Sequence, residues 1–159
     1  MATAMAQVCA IDANTMVFGD LYLEDVRAYR EARLQGTGEA PLFPLWRTPT
    51  AKMAQDILAA CVVADVVTCD PKALPASGAG RRYDAAFLAD LPEGVDPCGE
   101  RGEFHTAVTD GAIFASPIPE RPGETVLRDG YVYADLIPAW NAQSRGSANS
   151  REFPAGSRK

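Results

Sequence analysis

The run KMAQDILAACVVADVVTCDP, residues 52–71, changes period partway along and sets the architecture. In its first half, residues 52–61, Met53, Ile57 and Leu58 fall on one face at helical spacing. In its second half, residues 62–69, four valines crowd a segment that closes at Asp70-Pro71, which predicts a strand. Upstream, residues 42–46 after Pro41 suit a short buried strand. Leu23, Val26, Arg30 and Leu34 recur at helical spacing, with Glu24 and Asp25 near the start, Arg30 and Arg33 near the end, and Gly36 and Gly38 just beyond. Residues 16–18 form an apolar run that ends at Gly19-Asp20, as a buried strand does when it turns into a loop. Two strand-helix alternations in succession favour an α/β arrangement.

Downstream the pattern changes. Residues 75–80 are small and polar and read as a loop, and residues 83–91 resume a short helical pattern that Pro92 ends. Two Asp-Gly pairs follow, Asp110-Gly111 and Asp129-Gly130. Phe104, Thr106 and Val108 alternate before the first, and Tyr131 and Tyr133 after the second. Asp-Gly suits a type I′ hairpin, in which both central residues take positive φ, so antiparallel strands are expected here. The fold class expected is therefore mixed: an α/β beginning followed by a small domain of helices and antiparallel strands. The polar, aperiodic residues from 139 to 159 read as a disordered tail.

The chain has 159 residues, 47% hydrophobic and 23% charged, which suits one globular core. A net charge of -6 with scattered basic residues argues against nucleic acid and anionic lipid as partners. Arg81-Arg82 is the longest basic run and reads as a solvated pair. The four cysteines, Cys9, Cys61, Cys69 and Cys98, contain no CxxC, and there is one histidine, so reduced thiols are expected rather than a metal site or a disulfide framework. The opening MATAMAQVCA lacks the basic and long apolar regions of a secretory signal, and no stretch approaches a membrane span. A cytoplasmic protein is expected.

The densest chemistry lies in DPCGERGEFHT, residues 96–106. Gly99 and Gly102 let the backbone turn sharply and approach a ligand, and Glu100 and Glu103 can accept hydrogen bonds, bind magnesium or act as a base. Composition alone favours a plainer reading, a turn with solvated acids. Cys98 and His105 offer a thiol and an imidazole, but nothing in their spacing fixes a nucleophile-base geometry.

Four segments in order, FGDLYLEDVRAYRE at residues 18–31, FPLW at 43–46, DPKAL at 70–74 and DPCGERGEFHT at 96–106, resemble the diphthine-ammonia ligase family of ATP pyrophosphatases. The resemblance runs from about residue 16 to residue 138. It implies a nucleotide-binding domain of the PP-loop type, with an SGGxDS loop, followed by a smaller domain whose GEGGEF-like motif lines a substrate pocket. The implied reaction activates a carboxylate with ATP and Mg²⁺, giving an acyl-adenylate and pyrophosphate, and ammonia then forms the amide. In the family the carboxylate is that of diphthine on elongation factor 2. By resemblance, Gly19 and Asp20 stand beside the nucleotide, Glu100 and Glu103 are catalytic, and Gly99, Gly102, Phe104, His105 and Thr106 meet the substrate. Arg101 departs from the Gly or Asn usual there, adding bulk and positive charge beside the pocket. His105 stands where Glu is common in the eukaryotic and archaeal branch, which suggests a bacterial-type member.

No SGGxDS run occurs in the 159 residues. Residues 1–22 are thus expected to be a remnant of the Rossmann-like nucleotide domain and residues 23–138 the substrate-side domain. The chain alone is expected to bind no ATP or other cofactor and to perform no ligation. The expected partners are a carboxylate substrate, protein or small molecule, with ammonia, and a PP-loop domain supplied in trans; self-association through an exposed strand is another expectation. The competing reading is a non-catalytic binding or assembly module for a separate PP-loop chain.

Overall fold

The computed structural model describes residues 14–139. Strand β1 (Thr15–Val17) and strand β2 (Ala40–Leu42) pair in parallel, Thr15 opposite Ala40 and Val17 opposite Leu42. Helix α1 (Glu24–Leu34) joins them, with Glu24 and Asp25 in its first turn and Arg33 in its last, each sign matched to the helix dipole. Its end is set by Gly36 and Gly38 at φ 76° and 92°, and the Thr37 hydroxyl donates to the Leu34 carbonyl at 2.8 Å. Arginines of α1 cover aromatic rings: Arg27 lies 4.6 Å from the centroid of Phe43 and 4.7 Å from that of Trp46, and Arg30 lies 4.7 Å from that of Phe18. The strand expected at 42–46 lies earlier than that. Residues 44–47 turn instead, because Pro44 has no N–H to donate to a ladder and the Trp46 N–H returns to the Phe43 carbonyl at 3.2 Å. The ribbon is only half covered, and Val17 and Leu42 are 61% and 50% exposed.

Helix α2 (Thr50–Ala59) leads into β3 (Val63–Cys69), the strand around which the rest is built. With β4 (Phe104–Asp110), β5 (Glu120–Arg128) and β6 (Tyr131–Pro138) it forms a four-stranded antiparallel sheet in the order β4-β3-β6-β5. The α/β alternation therefore stops at β2, and the whole is mixed α+β. Val66, Cys69, Phe87, Phe104 and Val132 are buried together in the core, and the Phe87 and Phe104 rings meet edge to face at 5.2 Å. Between β3 and β4 come a 3₁₀ turn (Ala76–Gly78), within the segment expected as loop, and the short helix α3 (Ala85–Ala89). The Asp84 carboxylate caps α3 by accepting from the Phe87 N–H at 2.8 Å. Among the described residues no helix is long and apolar enough to cross a membrane. Cys9, and the expected tail beyond Ala139, lie outside the described residues.

The two Asp-Gly pairs behave differently. Asp129 and Gly130, at φ 52° and 84°, form the two-residue turn between β5 and β6, with Arg128 opposite Tyr131. Asp110-Gly111 makes no such hairpin. β4 pairs with β3, and the chain takes residues 111–119 to reach β5, a stretch in which Pro117 and Pro119 lack the donors an immediate return strand needs.

The Arg81-Arg82 pair is engaged rather than merely solvated. Arg81 meets Asp90 at 2.9 Å, and Arg82 meets the buried Asp65 at 3.1 Å and Glu120 at 3.8 Å. Burial pushes the Asp65 carboxyl above its ordinary range, Arg82 opposes this, and the Glu120 charge adds to it. The folded state thus holds the Asp65 proton more tightly than the unfolded chain does. The associated stability is complete below the unfolded carboxylate pKa and is lost as pH rises through the raised folded value. Asp65→Asn should therefore flatten the fall in melting temperature across the upper carboxylate range, measured by thermal melts between pH 4 and 7. An unchanged slope would show that Asp65 is not its source.

Candidate functional site

The segment between α3 and β4 turns on two glycines in the left-handed region, Gly99 at φ 66° and Gly102 at φ 83°. At Gly99 a Cβ would lie 2.6 Å from the Phe104 carbonyl oxygen, so the close approach of loop to strand needs glycine there. Between these turns Glu100 and Glu103 part company. The Glu103 side chain is buried under the loop, where Oε1 accepts from the Asp96 N–H and from Arg101 Nε, and Oε2 from the Arg101 N–H, each at 3.0 Å. Arg101 also donates to the Gly94 carbonyl, so its guanidinium folds back onto its own loop. The charge expected beside the pocket is matched by Glu103.

Asp96 is the other anchor. Its Oδ1 accepts from the Cys98 N–H at 2.8 Å, and its Oδ2 accepts from the Tyr22 hydroxyl at 3.2 Å. Tyr22 follows Gly19-Asp20 closely, and the Arg47 N–H donates to the Leu21 carbonyl at 2.7 Å, so the early segment is tied both to the loop and to the turn after β2. Asp20 is in turn held by Arg30 of α1 through two hydrogen bonds, Nε to Oδ2 at 2.6 Å and a terminal nitrogen to Oδ1 at 3.1 Å.

These ties enclose a cavity of about 400 Å³. Asp20, Arg30 and Leu23 line it from the α1 side, and Glu100, His105 and Thr106 from the loop and β4. Gly99 and Phe104 contribute to its wall. Of the residues singled out in the sequence, Asp20, Gly99, Glu100, Phe104, His105 and Thr106 thus converge on one space. Gly19 precedes it at an exposed position after β1, and Glu103 and Gly102 support the loop from which Glu100 projects.

Glu100 has a carboxyl pushed above its ordinary range, first by burial and then by the charges of Asp96, Asp20 and Glu103, against which a hydrogen bond from the Leu21 backbone works. Such a group suits proton transfer better than an ordinary surface acid. The Cys98 thiol is pushed up to about 11 by burial and the neighbouring acids, and it donates to the Thr50 carbonyl at 3.3 Å. It is therefore held as a thiol, and the thiolate that a nucleophile requires is disfavoured. Among the described residues no three His, Cys, Asp or Glu side chains group as metal ligands, and the Asp20 carboxylate is held by Arg30.

Arg30, Tyr22 and Asp96 were not singled out as site residues from the sequence. The one available signal was Arg30 itself, a charged residue on the otherwise apolar stripe of Leu23, Val26 and Leu34.

The family described as Diphthamide synthase C-terminal domain matches residues 49–131 of the chain. No curated protein matches it.

Truncating Glu103 leaves the buried N–H of Asp96 and the part-buried N–H of Arg101 without their acceptor, at a cost of about 1–3 kcal/mol for an orphaned buried donor. Glu103→Ala should thus lower stability to urea by at least that much, whereas Glu100→Gln should lower it little or not at all. Equal effects from the two would return both acids to a solvated turn.

Proposed function

Because the chain belongs to the diphthamide synthase C-terminal domain family, we propose that it forms the substrate side of an ATP-dependent ligase joining a carboxylate to a nitrogen nucleophile. The observation that carries this reading is the cavity in which Glu100, its carboxyl raised by burial and by surrounding acids, faces Asp20, His105 and Thr106. In this reading ATP is a substrate, cradled by a PP-loop domain that acts together with this chain, and Mg²⁺ travels with the nucleotide. The carboxylate, of a protein or a small molecule, becomes an acyl-adenylate with release of pyrophosphate. Ammonia then attacks the acyl carbon, the carbon–oxygen bond to AMP breaks, and AMP leaves with the electron pair.

Each residue has a task in that sequence. Glu100 takes the proton that the nitrogen must lose, and its raised pKa narrows the gap to an amine. His105 and Thr106, exposed at the start of β4, contact the substrate, while Phe104 anchors that strand in the core. The Gly99 backbone forms the near wall, and Glu103 positions Glu100 rather than reacting. Asp20, clamped by Arg30 and preceded by Gly19, marks the side facing the nucleotide. The half-exposed β1–β2 ribbon, with Val17 and Leu42 outward, offers a surface for the PP-loop domain or for a second copy. The same surface would serve a purely non-catalytic assembly module, which is the reading to separate from a ligase. A cytoplasmic setting suits the free thiols of Cys61, Cys69 and Cys98.

The test is ammonia-dependent AMP release by this chain combined with a PP-loop domain. Loss of a general base costs on the order of 10²–10⁴-fold, so Glu100→Gln should slow release by at least about 10²-fold with ATP affinity little changed. Because Glu100 must be ionised to accept a proton, the rate should fall as pH drops through its raised pKa, and this acid limb should vanish in Glu100→Gln. A full rate in Glu100→Gln would leave only the assembly-module reading.

A further inference from the structure

In a ligase, the cavity that bears Asp20 and Glu100 has to receive one more carboxylate, which those acids repel. A cation on the lining must offset them. Among the described residues Arg30 is the one Lys or Arg that lines this cavity, and His105 is the only other basic side chain there. Asp20 holds Arg30 from the side, through Nε and one terminal nitrogen, and the Phe18 ring centroid lies 4.7 Å from the guanidinium carbon. A guanidinium carries five N–H donors on a planar fork, so this grip leaves the end-on edge, formed by the two terminal nitrogens, to a second acceptor. Among the described residues the Arg30 side chain makes no other ion pair or hydrogen bond. The side chain is 31% exposed, so the pairing with Asp20 does not seal it off.

The rest of that wall suits the carbon chain of an organic acid. Leu23, Val26 and Arg30 follow one another three and four residues apart along α1 and the residue before it, and all three line the cavity. Apolar side chains therefore lie beside the free donors. A free phosphate would meet the same donors but gain nothing from Leu23 and Val26. The neighbouring apolar cavity of about 250 Å³, behind the wall of Cys98, Phe104 and Thr106 and lined also by Ile57 and Val108, holds no cation for a carboxylate.

We propose that Arg30 receives the carboxylate of an aliphatic acid substrate: its end-on edge takes the two carboxylate oxygens while Asp20 holds the other edge, and Leu23 and Val26 take the carbon chain. This rests on the ligase reading above and keeps ammonia as the nitrogen donor, at Glu100. Asp20 acts in two ways in this arrangement. It fixes the plane of the fork, and its charge weakens the hold on the second carboxylate.

The test uses the intact chain without ATP, so that it reads binding alone. Acetate, butyrate and inorganic phosphate are titrated at constant ionic strength while the Arg30 Nε–H and the amides of residues 20–30 are followed by NMR. Butyrate should bind more tightly than acetate, by up to about fourfold per added methylene, and more tightly than phosphate. Arg30→Lys keeps the charge and loses the fork, and it should weaken butyrate about tenfold, as loss of one charge-assisted hydrogen bond does. Asp20→Asn keeps an acceptor for the fork and removes the opposing charge, so it should tighten butyrate at least about fivefold, a gain that loss of structure does not produce. Absence of butyrate binding, or an affinity that Asp20→Asn leaves unchanged, overturns the proposal and leaves the Arg30–Asp20 pair a structural tie. Tighter binding of phosphate than of butyrate overturns it in favour of a nucleotide phosphate at Arg30. Each of these results leaves the ligase reading standing if ammonia-dependent AMP release still depends on Glu100, whereas loss of that dependence with the butyrate response intact overturns the ligase reading instead.

Discussion

The Glu103 carboxylate is buried beneath its own loop, where it takes hydrogen bonds from the backbone of Asp96 and Arg101 and from the Arg101 side chain. Burying a carboxylate is costly unless its oxygens are satisfied, and here both oxygens are. The satisfied acid fixes the turn, and the turn decides which way Glu100 points. It also fixes Asp96, whose second oxygen receives the Tyr22 hydroxyl and so draws the β1–α1 segment onto the loop. Remove that acceptor and the two walls of the larger cavity lose their common support.

Pairing of charge recurs through the molecule and gives Glu100 its character. Arg30 is matched to Asp20, Arg101 to Glu103, and Arg82 to Asp65, so three potentially mobile guanidinium groups are held against acids of the fold. Glu100 stands among further acids without such a partner, and the Leu21 backbone offers only a partial offset. A carboxyl in that position is held above its ordinary range, first by burial and then by the neighbouring acids. Burial, with the charges of Asp96 and Glu100, likewise keeps Cys98 protonated, so the thiolate that a nucleophile requires is disfavoured.

Much of this was legible in the sequence, and the limits have physical causes. The helical spacing of Met53, Ile57 and Leu58 and the valine-rich run after it fall on α2 and β3 within two residues of their ends. Asp129-Gly130 could be read because a two-residue turn is a local matter of φ. Asp110-Gly111 could not, since whether β4 returns on β5 or pairs with β3 depends on a partner far along the chain. The ion pairs of Arg82 were hidden for a similar reason: the side chain stays solvated at 42% exposure, but Asp65 and Glu120 come to it from distant strands. Glu100 and Glu103 look alike in sequence, each preceded by a glycine. Only the hydrogen-bond demand of the turn, hidden in backbone N–H groups, sends one inward and leaves the other at the cavity.

The larger cavity is built across a seam. The residues matching the family begin at 49, yet Asp20, Leu23 and Arg30 supply one wall, and they are held there by the Tyr22–Asp96 and Arg47–Leu21 hydrogen bonds. The register of β4 against β3 shifts twice, between Val63 and Ala64 and between Val66 and Thr68. A regular strand would send Phe104, Thr106 and Val108 to one face and His105 to the other. In this strand Phe104, His105 and Thr106 line the acid-sided space while Phe104, Thr106 and Val108 line the apolar one. Phe104 and Thr106 border both spaces, so this one short strand adjoins an acid-sided and an apolar environment.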